Sequence, residues 1–135
     1  MILVDASVWI DFLTAPHSKH QAHLSDLIHV GGGIGIPGPV IQEVLQGIRD
    51  AYAFRRIEEH LKRFPVVHAG TATYVIAARL YQTLTAKGST MPPGDVTIAA
   101  IAIETEHELY TLDHHFHRIA AQSALRLYRP TPPRP

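Results

Sequence analysis

Four carboxylates in the sequence stand where apolar segments begin, end or turn. Asp5 ends the apolar run Ile2-Leu3-Val4, and Asp113 ends the run Glu108-Leu-Tyr-Thr-Leu112. Short continuous apolar runs fit strands buried on both faces. In an open parallel sheet, ligands bind outside the carboxyl ends of such strands. Glu43 lies one turn into a helical segment, and Asp95 opens the run Val96–Ile103. Four unpaired carboxylates brought together would repel one another strongly. A hard divalent cation removes that cost, and oxygen-only ligands suit Mg²⁺ or Mn²⁺. Such an ion can activate water and stabilise the negative charge that develops as a phosphodiester is cleaved.

Each acid also has a plainer reading. Asp5 or Ser7 could simply cap the helix that follows. Glu43 could be a solvated surface acid. Asp95 is well placed as an N-cap, although Ile98 stands where a capping box needs Glu or Gln. Capping and chemistry are compatible, since a carboxylate at a buried helix start is held rigidly.

The elements that must position these acids follow from periodicity. After Asp5, Val8, Trp9, Phe12 and Leu13 recur at helical spacing. Trp9 reads as core or as a dimer contact in preference to a base-stacking platform, and Asp11 as solvated. Pro16 to Val30 carries a second helical pattern, broken by Gly31-Gly32-Gly33. This glycine run lacks the Gly-Lys-Ser/Thr ending of a phosphate loop and precedes a strand instead of following one. Ile34 to Ile36 is the second strand, ended by Pro37-Gly38-Pro39, which starts a helix to about Arg49. Gly47 inside that helix costs roughly 1 kcal/mol relative to alanine; close approach of a substrate or another helix would compensate, but a tolerated defect is the simpler reading. Ala51 to Phe64 is helical, Pro65 to His68 a short strand, and Thr71 to Ala86 a helix. The run from Val96 is apolar nearly all round, which fits a buried helix. A helix from Asp113 to about Ala121 and a last strand, Leu125 to Tyr128, complete the pattern. Residues 1–129 thus form one domain, and 130–135 a proline-rich tail.

The 135 residues are 46% apolar and 18% charged, enough to bury a core and too apolar for a disordered chain. Formal charge is zero, so a polyanion partner must be met by a local basic stripe. Lys87, Arg118 and the helix from Ala51 offer the cations for one, and binding should be weak and salt-sensitive. The sequence has no cysteine, which excludes disulfides and thiolate metal sites and fits a reducing cytoplasm. The start lacks the basic region of a signal peptide. No apolar stretch reaches the ~20 residues of a membrane span. Ten histidines raise a metal-sensor reading. However, His17, His20 and His23 step by three and drift around their helix, and the cluster His114, His115, His117 has no second cluster at a zinc spacing.

Four segments together resemble a family. They are Asp-Ala-Ser-Val-Trp-Ile-Asp (5–11), Glu-Val-Leu-Gln-Gly (43–47), Pro-Pro-Gly-Asp with Ile-Ala-Ala (92–100), and Leu-Tyr-Thr-Leu-Asp-His-His-Phe (109–116). Their types and order, over nearly the whole chain, are similar to a PIN-domain protein of the VapC toxin type. The resemblance implies a three-layer α/β/α sandwich with a mainly parallel central sheet. It implies a Mg²⁺- or Mn²⁺-dependent endoribonuclease with Asp5, Glu43, Asp95 and Asp113 as catalytic and metal-binding acids. Ser7 would support them through a hydrogen bond to an acid or to metal-bound water. A toxin role, a homodimer, an RNA substrate and inhibition by a small cognate antitoxin are implied with it. One position departs: many relatives carry an aspartate two residues after the Asp113 position, and here His115 stands there. A surface histidine is its simplest reading. Imidazole nevertheless suits Mn²⁺ better than Mg²⁺, so His115 could tilt the metal preference. The departure also keeps open a catalytically silent PIN-like module that binds RNA or protein. An acidic-pocket phosphohydrolase is a further reading, but Asp5-Ala6-Ser7 lacks the Asp-x-Asp pair of that chemistry.

Overall fold

The computed structural model describes residues 1–31 and 33–130, so Gly32 and most of the expected proline-rich tail lie outside them. Strand β1 (Ile2–Val4) has Leu3 and Val4 fully buried, as an apolar strand covered on both faces requires. It leads through Asp5 into helix α1 (Ala6–Thr14). Helix α2 (Lys19–His29), strand β2 (Ile34–Pro37), helix α3 (Gly38–Gln46) and helix α4 (Ala51–Leu61) follow. Strand β3 (Val66–Val67), helix α5 (Thr71–Ala86), helix α6 (Pro93–Thr105), strand β4 (Glu108–Tyr110) and helix α7 (His114–Ala120) complete the described elements. The strands form one parallel sheet in the order β3-β2-β1-β4, and helices cover it in an α/β/α sandwich. Successive strands run β1 to β2 on one side, and β4 returns to the other. The carboxyl end of β1 is therefore a switch point of the sheet. No helix among the described residues is long and apolar enough to cross a membrane.

Several local expectations are corrected. Gly47 is not inside α3 but at its C-cap, exposed, with only the Val44 carbonyl near the space a Cβ would take. No close approach explains it, and none is needed. Pro92 is the N-cap of α6 and Asp95 lies within its first turn, because two prolines set the helical start earlier than Asp95. The strand before Asp113 stops at Tyr110, and the expected last strand reduces to one parallel bridge between Leu109 and Leu127. Asp11 is not simply solvated: it accepts from Ser18 Oγ at 2.6 Å and ties α1 to the start of α2.

His20 and His23 share a face after all. Their rings meet Tyr110 and Tyr128 at 2.7 Å each, joining α2 to β4 and the segment beyond α7. Burial pushes the Tyr110 hydroxyl up to about 12 and His20 below its ordinary value. Trp9 is core, 3% exposed and packed against Phe12 and Phe64, so it offers no stacking platform for a base.

Leu3, in the strand paired on both sides, sets the geometry of everything that follows it. Leu3→Ala should cost about 2–5 kcal/mol, read as a lowered urea midpoint with an unchanged slope.

Candidate metal centre at the carboxyl edge of the sheet

Asp5 is the buried anchor of the site, 3% exposed. Its backbone N–H donates to the Tyr110 carbonyl at 2.9 Å, so β4 fixes the place where β1 ends. As N-cap of α1 its Oδ2 accepts from Ser7 Oγ at 2.7 Å and, more distantly, from Ser7 N at 3.4 Å. The same oxygen accepts from Thr111 Oγ1 at 2.9 Å. The capping reading of Asp5 is thus correct, and the capped carboxylate is still near enough to Glu43 and Asp95 for its charge to raise both. Ser7 Oγ in turn accepts from the Leu112 N–H at 2.9 Å.

Thr111 escaped the sequence reading. It is buried, and its Oγ1 donates to Asp5 while accepting from the Asp113 N–H at 3.0 Å. One hydroxyl therefore orients two acids. Its only local signal is a hydroxyl residue where an apolar strand ends two positions before an aspartate.

Asp113 is the N-cap of α7, with Oδ1 accepting from the His115 N–H at 2.9 Å. That helical turn swings the His115 ring back to the acids. Its Nδ1 lies 2.9 Å from Asp95 Oδ2 and 3.5 Å from Asp113 Oδ1. His115 is half-exposed but is not the bystander that its simplest reading expected. One ligand atom from each of Asp95, Asp113 and His115 falls within 4.8 Å of the others.

Glu43 comes from α3, and its Oε1 approaches the start of α6: a Cβ on Gly94 would sit 4.0 Å from it. Burial pushes its carboxyl up to about 7, reinforced by the charges of Asp5, Asp95 and Asp113. Burial also raises Asp95, against the opposing hydrogen bond from His115. The fold therefore brings Asp5, Glu43, Asp95, Asp113, Ser7 and His115 into one region, with Asp5 and Glu43 outside the tightest group. Carboxylate oxygens and one imidazole nitrogen, mutually repelling and partly buried, form a donor set that fits a divalent cation. Asp95, Asp113 and His115 would hold it, with Asp5 and Glu43 alongside.

The other sequence cations are distributed differently. Arg56 and Arg63 of the α4 region rim an apolar groove of about 650 Å³ floored by Trp9, Phe12, Ile57 and Phe64. Lys62 pairs with Glu58 on the helix surface.

Glu43 gives the ion-free protein a testable pH dependence. Its folded value, about 7, lies above the ordinary carboxylate range. The folded state then holds a proton that the unfolded state has already lost. Stability falls as pH rises from about 4.5 to 7. Glu43→Gln should raise the melting temperature of the metal-free chain at pH 8 and leave it nearly unchanged at pH 4. An equal shift at both pH values would show that charge is not the cause.

Residues 2–122 match the PIN domain family. No curated protein matches the chain. Among solved structures it is similar to VapBC2 from Rickettsia felis bound to a DNA fragment from its promoter, with a TM-score of 0.79 and 19% identity over 95% of this chain and 98% of that one. It is similar also to DNA-bound VapBC from Salmonella typhimurium, with a TM-score of 0.76 and 19% identity over 94% and 96% of the two chains. A third is Mycobacterium tuberculosis VapC20, described as a toxin that cleaves the sarcin-ricin loop, with a TM-score of 0.65 and 15% identity over 93% and 99%. At these identities the likeness is one of fold. The family match, spanning residues 2–122 of 135, carries the conclusion: this chain belongs to the PIN domain family.

Proposed function

We propose that the protein is a metal-dependent endoribonuclease that hydrolyses RNA phosphodiester bonds as the toxin of a toxin–antitoxin pair. The observation that carries this reading is the convergence of four acids at the switch point of a parallel sheet, where burial, reinforced by the charges of Asp5, Asp95 and Asp113, pushes Glu43 up to about 7. A folded chain bears such repulsion more readily when a cation relieves it. The fold likeness to VapC20, a toxin that cleaves the sarcin-ricin loop, supports the substrate class.

A bound Mg²⁺ or Mn²⁺ would supply positive charge to the phosphodiester and acidify water. The rest is work for the chain's own residues. Ser7 and Thr111 hold Asp5 in one rotamer, so its carboxylate needs no reorganisation during reaction. Glu43 binds a proton near neutral pH, which suits it to take one from water as that water attacks phosphorus and the ribose oxygen leaves. Arg118, exposed and one turn along α7 from His115, is a cation for a flanking phosphate.

The fold likeness to toxin–antitoxin complexes supports a cognate antitoxin as partner. The apolar groove rimmed by His29, Arg56, His60 and Arg63 is suited to an amphipathic segment with acidic edges. Tyr74 and Val75, exposed on α5, give a homodimer an apolar contact. A second reading, a catalytically silent module, draws on His115: its ring occupies Asp95 Oδ2 at 2.9 Å, an oxygen that an ion would otherwise take.

Cleavage of structured RNAs by purified antitoxin-free protein, with Mg²⁺, Mn²⁺ or EDTA in parallel, separates the two. Discrete cuts that need metal and fall more than about 100-fold in a folded Asp5→Asn variant are expected. Ion binding without cleavage would favour the silent module. Thr111 should behave as a positioning residue. Thr111→Val should lower activity by about 10–100-fold, and Thr111→Ser, which keeps the hydroxyl, should restore it. A Thr111→Ser variant as weak as Thr111→Val would point to packing instead.

A further inference from the structure

We infer that His115 is a direct metal ligand, and that its Nδ1 makes the site select Mn²⁺ and softer divalent ions over Mg²⁺. The inference rests on reading the acids as a divalent-cation site and adds the identity of the ion. Adjacent vertices of an octahedral complex with bonds of about 2.0–2.2 Å lie about 3 Å apart. The separation of His115 Nδ1 from Asp95 Oδ2 is 2.9 Å, and from Asp113 Oδ1 3.5 Å. His115 Nδ1 thus stands close to one octahedral edge length from each carboxylate oxygen, all three ligand atoms lie within 4.8 Å of one another, and they come from two helices. Asp95 is fixed in the first turn of buried α6, and His115 by the turn that Asp113 caps. His115 N–H holds Asp113 Oδ1 while its ring reaches Asp95, so a single residue aligns both acids.

The chemistry of the donor follows. Nδ1 must be free of a proton to ligate. The remaining ring proton then sits on Nε2, on a side chain that is 42% exposed and can meet solvent there. Mg²⁺ favours hard oxygen and keeps its waters, whereas a nitrogen donor suits Mn²⁺, Co²⁺, Ni²⁺ and Zn²⁺ increasingly. A carboxylate at the same position would add charge and favour the hard ion. The imidazole reduces the site's negative charge and lowers affinity for any ion held by charge alone. Selectivity, not only affinity, is therefore written at position 115. Neighbouring His117 is a poor substitute: its Nδ1 points to the Asp113 carbonyl at 3.3 Å and the side chain is exposed.

The test uses the 135-residue chain with MnCl₂ or MgCl₂ alone, no RNA. Mn²⁺ binding is followed by loss of the aqueous Mn²⁺ spin-resonance signal, Mg²⁺ by competition, and the ligand set by spin-echo modulation from ¹⁴N. Wild type should show nitrogen modulation on bound Mn²⁺. His115→Asp should abolish it and lower the Mn²⁺/Mg²⁺ affinity ratio by at least about 10-fold, while His117→Gln retains both. An aspartate in a first helical turn is well tolerated, so the variant should fold. Mn²⁺ bound without nitrogen modulation, or an unchanged ratio in His115→Asp, would overturn the inference while leaving a carboxylate metal site, which Asp95→Asn should then weaken. Binding of neither ion to folded wild type would overturn both this inference and the metal-dependent reading.

Discussion

Two hydroxyl groups hold together a site whose charges push it apart. Ser7 and Thr111 both donate to the same oxygen of Asp5, while Ser7 receives the Leu112 N–H and Thr111 the Asp113 N–H. The segments leaving β1 and β4 are thereby locked to one another at the carboxyl edge of the sheet. Without this lock the first helix and the last could dock independently, and their aspartates would have no fixed relation. The lock in turn depends on β1 lying between β2 and β4, because only a central strand can present its end to both neighbours.

Electrostatic cost follows from that geometry. Glu43 shows it most plainly: burial and three neighbouring acids push it up to about 7. A carboxylate in the open would relax toward solvent, but α3 packs on α6 and α1 and keeps it in place. Helix α6 contributes in the same way. Val96 and Ile98 to Ala102 are buried, so the helix cannot shift, and Asp95 at its first turn cannot retreat. The apolar core below supplies what the acids cost. His115 places an imidazole nitrogen 2.9 Å from Asp95 Oδ2 and 3.5 Å from Asp113 Oδ1, so one ring lies against both acids.

Much of the fold is legible locally. Continuous apolar runs mark β1 and β4, and helical periodicity places α5 from Thr71 to Ala86, as observed. Asp5, Asp95 and Asp113 could be picked out because each sits at or near the boundary of such a segment, whereas Glu43 lies inside α3. What periodicity misread were boundaries set by competing residues. Pro92 and Pro93 capture the start of α6 ahead of Asp95, and Gly47 ends α3 instead of interrupting it.

The sequence by itself determined that acids would follow the apolar strand segments, directly at Asp5 and three residues after β4 at Asp113, since only the residue types and their order matter for that. Tertiary structure decided what those acids touch. Ser7 and Thr111 are 104 positions apart, and Asp95 and His115 are 20 apart on different helices. Thr111 reads locally as one more strand residue and His115 as a surface ring. Each acquires its role only when parallel pairing sets β4 beside β1, because a hydrogen bond depends on distance in space, and local periodicity carries no record of it.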